Sequence, residues 1–178
     1  PNRITIVPRS LGSGGFTHSI DTEDTDKSSL SEKEILARIS VLYGGLAGEE
    51  VMLGEKSTST GSDLPEARRL AKLYVEYGFS GLGPIFLGQQ NADLKRVSGH
   101  AFAAQELFVY SEKTQQDIDE EIKRVLLNAS DEAVKIIREH RDKMENLSQA
   151  LLENETIERE QIVRAIYGPP ASDAPPDD

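Results

Sequence analysis

Apolar residues recur at helical spacing through most of this chain. Ile35, Ile39, Leu42, Leu46 and Val51 share one face of a helix that Ser31 and Glu34 open as a capping box and Gly54 stops. Gly44, Gly45 and Gly48 lie inside that helix. Each glycine costs about 1 kcal/mol against Ala in a helix interior, so the three predict another backbone packed close by. A second helix is predicted from Asp63 to about Tyr77, with Leu64, Ala67, Leu70, Ala71, Tyr74 and Val75 as its inner stripe and Gly78 as its terminator. From Ser111 the period resumes through Ile118, Ile122, Val125, Leu126, Ala133, Ile136 and Ile137. The polar stretch Asn128 to Asp131 predicts a break or bend there, and two antiparallel helices or one kinked helix fit equally well. Leu147, Leu151 and Leu152 extend the stripe, and Thr156 opens a final short helix through Ile157, Ile162, Val163 and Ile166 that Gly168-Pro169-Pro170 ends.

A different pattern governs the first residues. Arg3 to Val7 and Gly15 to Ile20 read as short strands joined through Pro8, Gly12, Gly14 and Gly15, a small hairpin or meander. Because Ile4-Thr5-Ile6-Val7 begins a strand almost at the first residue, a truncated or processed N-terminus is expected. Residues 21–30 are acidic and without period, which predicts a mobile loop. Gly81, Gly83, Pro84, Gly88 and Gly99 surround Ile85-Phe86-Leu87 and predict an irregular, packed connection over 78–99. The fold class expected is therefore mainly α, with a small N-terminal β hairpin or meander. Residues 1–167 form the folded part, and residues 168–178, rich in Pro, Ala, Ser and Asp, form a disordered tail.

The 178 residues are enough to bury a core, and the length suggests one domain or a domain with appendages rather than several. A net charge of -11 argues against nucleic acid as a partner, since affinity for phosphate backbones comes from Lys and Arg releasing counterions. With no Cys there is no disulfide framework, no thiolate metal site and no thiol nucleophile, leaving oxygen and imidazole as ligands. No apolar run approaches the roughly 18 to 20 residues a bilayer span requires, so the chain itself is expected to be soluble.

Metal chemistry without Cys calls for a His pair at helical spacing, as in His-Glu-x-x-His, and the sequence contains none. His18, His100 and His140 each lack a His partner three to five residues away, so surface or strand-packing roles outweigh ligation. No Gly-x-Ser-x-Gly elbow supports a serine nucleophile, and Gly12-Ser13-Gly14-Gly15 lacks the Lys and helix of a phosphate cradle. Asp63, with Pro65 and Glu66 following, reads on its own as an N-cap. Glu49 and Glu50 are adjacent on a helix and diverge by about 100°, so only one of them can face inward, where it would need a partner.

Several segments in order resemble the FtsH-type ATP-dependent zinc metalloprotease family. They are Ile4-Thr5-Ile6-Val7-Pro8-Arg9, Leu42-Tyr43-Gly44-Gly45-Leu46-Ala47-Gly48-Glu49-Glu50 and Ser57-Thr58-Ser59-Thr60-Gly61-Ser62-Asp63-Leu64. Tyr77-Gly78-Phe79-Ser80 with Leu82-Gly83-Pro84, Tyr110-Ser111-Glu112 with Ile118-Asp119-Glu120-Glu121, and Leu151-Leu152 with Glu155-Thr156-Ile157 continue the likeness to residue 167.

The resemblance implies that residues 1–167 are the C-terminal portion of a metallopeptidase domain. In that family zinc is held by two His of a His-Glu-x-x-His helix and by a downstream Asp, which matches Asp63 here. Glu49 or Glu50 becomes a candidate for orienting a zinc-bound imidazole. It further implies a parent protein that is membrane-associated and hexameric, with this domain on the cytoplasmic, matrix or stromal side. ATP and Mg would be bound by an ATPase domain, and unfolded or membrane proteins would be the substrates. Ser62 stands where the family commonly has Asn and Gly48 where it often has Ala, and residues 89–109 match poorly. Since the His-Glu-x-x-His helix is absent, no catalytic residue is assigned and this chain alone is expected to be inactive. The alternative is a non-catalytic homologue that acts as an assembly partner in a hexameric protease ring.

Overall fold

The computed structural model describes residues 1–8, 15–18, 29–87 and 110–168. His100, most of the acidic loop, the stretch 88–109 and all of the expected tail after Gly168 lie outside them, as does the connection 9–14. The chain forms two compact units, one of residues 26–138 and one of residues 1–25 with 139–178.

In the unit of residues 26–138, Ser31 opens α1 (Glu32–Leu42) by the predicted capping box: its hydroxyl accepts from the Glu34 N–H, and Glu34 accepts from the Ser31 N–H at 2.8 Å. The helix does not run smoothly on to Gly54. It breaks at Tyr43, restarts as α2 (Gly44–Gly48) and widens into a π-helical turn at Glu49–Leu53 before Gly54 closes it at φ 79°. Among the described residues nothing lies within 4 Å of a Cβ built on Gly44 or Gly48, so the close backbone expected at these two positions is not there. They lie in a segment that breaks at Tyr43 and passes from α to π pitch at Glu49.

A 3-10 turn at Thr58–Thr60 leads into α3 (Asp63–Glu76). Its stripe is as the periodicity predicts, with Ala67, Leu70, Ala71, Tyr74 and Val75 buried, whereas Leu64 is exposed because the first turn lies at the rim. Tyr77 caps the helix and Gly78 follows at φ 75°. The long helix α4 (Glu112–Glu139) passes straight through Asn128 to Asp131. Ala129 and Ala133 are buried on its apolar stripe, so tertiary burial outweighs the polar run that predicts a break. Ile35 and Ile39 of α1, the α3 stripe, Leu87, and Ile122, Val125 and Ala129 of α4 form a single core. The Tyr74 hydroxyl, at its edge, donates to Glu32 at 3.0 Å.

The helical path breaks at His140, after which α5 (Arg141–Asn154) begins. In the unit made of the two chain ends, β1 (Arg3–Thr5) pairs antiparallel with β2 (Phe16–His18), as the hairpin pattern predicts. Thr156, however, opens a strand, not a helix. β3 (Thr156–Glu158) lies antiparallel on the other side of β1, giving the order β2-β1-β3, and α6 (Arg159–Tyr167) starts only after it. The register sets Ile4 opposite Ile157 and Thr5 opposite Thr156. Ile157 is fully buried, and the Thr5 and Thr156 hydroxyls bond at 2.7 Å. Glu158 caps α6 through a capping box with Gln161. The fold is mainly α with one small sheet.

Candidate metal-ligand turn

Asp63 is the first residue of α3, and the N-cap position belongs to Ser62. The N-cap role predicted for Asp63 is thus corrected by one residue, and no side-chain cap bond forms there. Glu66 does not reach back toward the cap either, because Arg69 holds its carboxylate by two bonds of 2.7 Å. That pairing holds the Glu66 carboxyl below its ordinary range. An anionic side chain in the first helical turn is favoured by the helix dipole by roughly 0.3–1 kcal/mol. Asp63 is half-buried, and among the described residues its one hydrogen-bond donor is the Ser62 hydroxyl at a long 3.4 Å. The carboxylate therefore sits in the positive end of a helix with most of its lone pairs uncommitted within the described structure.

Glu49 and Glu50 part company as adjacent helical residues must. Glu50 forms an ion pair with Lys56 at 2.7 Å. Glu49 turns to the segment that leads into α3. One carboxylate oxygen accepts from the Ser57 N–H at 2.7 Å, and the other accepts from the Ser57 hydroxyl at 2.7 Å and from the Ser59 hydroxyl. The Ser59 and Ser57 bonds, in that order, hold the Glu49 carboxyl below its ordinary range, so it is ionised at neutral pH. Ser57 also accepts from the Ser59 N–H at 3.1 Å, and the Gly61 N–H donates to the Thr58 carbonyl at 3.2 Å, which closes the turn two residues before Asp63.

His18 and His140 belong to the unit of residues 1–25 with 139–178, and His100 lies outside the described residues. His18 is exposed in β2 opposite Arg3, and His140 is exposed at the α4–α5 break. An open groove of about 520 Å³, lined by Tyr43, Arg68, Asp119, Lys123, Leu126 and Leu127, includes none of Glu49, Glu50 and Asp63. The Glu49 bonds to Ser57 and Ser59 have no periodic signature, since they span a π-turn and a 3-10 turn.

A family model described as "Peptidase family M41" matches residues 1–165. The chain belongs to peptidase family M41. Among proteins similar to it, the ATP-dependent zinc metalloprotease FtsH of Mycoplasma mobile is 36% identical over 163 residues, covering 90% of this chain and 22% of the relative. FtsH 4 of Sorangium cellulosum is 36% identical over 170 residues, 94% of this chain and 25% of the relative. FtsH of Thermotoga maritima is 34% identical over 170 residues, 93% of this chain and 26% of the relative. The chain spans about a quarter of the length of these M41 relatives.

Zinc in a catalytic site takes three protein ligands and one open position. Among the described residues no three His, Cys, Asp or Glu side chains converge, so these residues do not make a zinc site by themselves. What the turn offers is a single oxygen donor of suitable chemistry, and a complete site would need donors from outside the described residues. Among the described residues, no helix is long and apolar enough to cross a membrane.

Proposed function

We propose that this chain is part of a zinc-dependent, ATP-driven endopeptidase that degrades unfolded or membrane proteins, in which Asp63 supplies the third zinc ligand. The M41 match over residues 1–165 carries the proposal, because it spans Asp63 and the elements that hold it. The zinc would polarise the peptide carbonyl and activate water when bound. The task of this chain is narrower: α3 and the turn before it hold one carboxylate at a helix head, and the core that α3 shares with α1 and α4 supports that helix. The parent protein would work as a homo- or hetero-hexamer, membrane-associated, with ATP and Mg bound by a separate ATPase domain. Residues 1–178 alone would be inactive, since they hold no His-Glu-x-x-His.

The test is degradation of an unfolded protein by the full-length natural polypeptide with ATP and zinc, comparing the wild type with Asp63→Asn. Loss of at least about a hundredfold in rate, with ATP hydrolysis retained, is the expected result for removal of a metal ligand. Full activity in the variant would overturn the ligand role. Inactivity of the wild type itself, with no zinc bound, would mean a non-catalytic partner in a mixed ring.

A further inference from the structure

The two serines on Glu49 stand at the start of a short segment that ends at Asp63. Ser57 caps the start of the 3-10 turn and Ser59 lies within it, Gly61 closes it, and Ser62 is the residue from which α3 starts. A carboxylate on a neighbouring element accepts all three donors that Ser57 and Ser59 direct at it, one N–H and two hydroxyls. Glu49 is itself anchored in the helical path, where the Gly54 N–H donates to its carbonyl at 3.1 Å. Charge-assisted bonds of this kind are about twice as strong as neutral ones, and three of them hold the turn at one point. Three residues separate Ser59 from Asp63, which leaves little slack between the clamp and the carboxylate.

We propose that Glu49 is a positioning residue for Asp63, fixing the Ser57–Thr60 turn and hence the place of the α3 head, and not a partner of a zinc-bound imidazole. The proposal rests on the reading of Asp63 as a zinc ligand. Outer partners that orient a ligand typically change metal affinity about 10- to 100-fold when removed. Glu50, whose carboxylate is on Lys56, has no such role.

The experiment measures zinc affinity of the full-length natural polypeptide by competition with a chelator, for Glu49→Ala, Glu49→Gln, Ser57→Ala with Ser59→Ala, and Asp63→Asn, with melting temperatures recorded alongside. Glu49→Ala is expected to weaken zinc binding about 10- to 100-fold. The double serine variant should weaken it similarly, and combining it with Glu49→Ala should add little. In an Asp63→Asn background Glu49→Ala should have no further effect on zinc. An equal further loss in that background would overturn the proposal, because Glu49 would then act on another ligand. Unchanged affinity in Glu49→Ala, alongside weakened affinity in Asp63→Asn, would overturn it and leave the ligand role of Asp63 intact. If neither variant changes zinc affinity, it is the reading of Asp63 that fails. Should Glu49→Ala melt too low to measure, Glu49→Gln keeps the shape and loses the charge, and the same comparisons decide.

Discussion

A carboxyl buried near the end of a helix makes stability depend on pH, and Glu76 is such a group. It lies in the last turn of α3 with its side chain 11% exposed, facing Lys72 Nζ at 3.4 Å. Burial pushes its carboxyl above the ordinary range, outweighing Lys72, which pulls the other way. A carboxyl with a raised native pKa binds protons more readily folded than unfolded. Its stabilising contribution is then full below 4.5, the ordinary value, and is lost as pH rises through the native value. Glu76→Gln should accordingly raise stability at neutral pH and flatten the pH dependence above 4.5. Thermal melts across that range check both. Gly78 is the second instance. At φ 75° an added Cβ would stand 2.8 Å from the Ile85 N atom and 3.0 Å from Pro84 Cα, all backbone, so nothing can yield cheaply. Gly78→Ala should cost about 1–3 kcal/mol, measured by denaturant unfolding.

Among the elements, helix starts and stripes were legible where the signal is local. The Ser31 and Glu34 box forms as the sequence predicts, and Ser31→Ala should cost about 1 kcal/mol, with earlier fraying of α1 seen by hydrogen exchange. The buried stripe of α3 is likewise legible, because a period of 3.6 needs only one helix and one core. What was not legible depends on residues distant in sequence. Thr156 looks like a cap, but β1 offers it backbone and hydroxyl partners some 150 positions away, and the strand wins. Asn128 to Asp131 looks like a break, but Ala129 and Ala133 are buried, so the helix runs through. Gly44 and Gly48 look like a packing site and instead accompany a change of helical pitch. At the candidate site the sequence picks out Asp63 and the pair Glu49 and Glu50, and the structure separates the pair by its partners. The Ser57 and Ser59 contacts could not be read, since no period links a π-turn to a 3-10 turn.

For the molecule as a whole, the sheet order β2-β1-β3 joins the first residues to the last helices in one unit. Arg3 reaches Glu158 at 2.6 Å and the Ile6 N–H donates to the Glu155 carbonyl at 2.9 Å. Deleting residues 1–8 should therefore leave β3 unpaired and remove exchange protection from Ile157, while α1 and α3 keep theirs. Ile157→Ala should act on the same unit at a cost of about 2–5 kcal/mol, read from its melting. The claim on which the functional account depends is that Asp63 binds zinc in an M41 peptidase. Its most direct test is anomalous scattering at the zinc edge from crystals of the full-length natural polypeptide. A zinc peak about 2.0–2.2 Å from an Asp63 carboxylate oxygen, shared with two imidazoles, is the expected result. A zinc ion whose third protein ligand is another residue, with Asp63 turned back on its own helix, would contradict it.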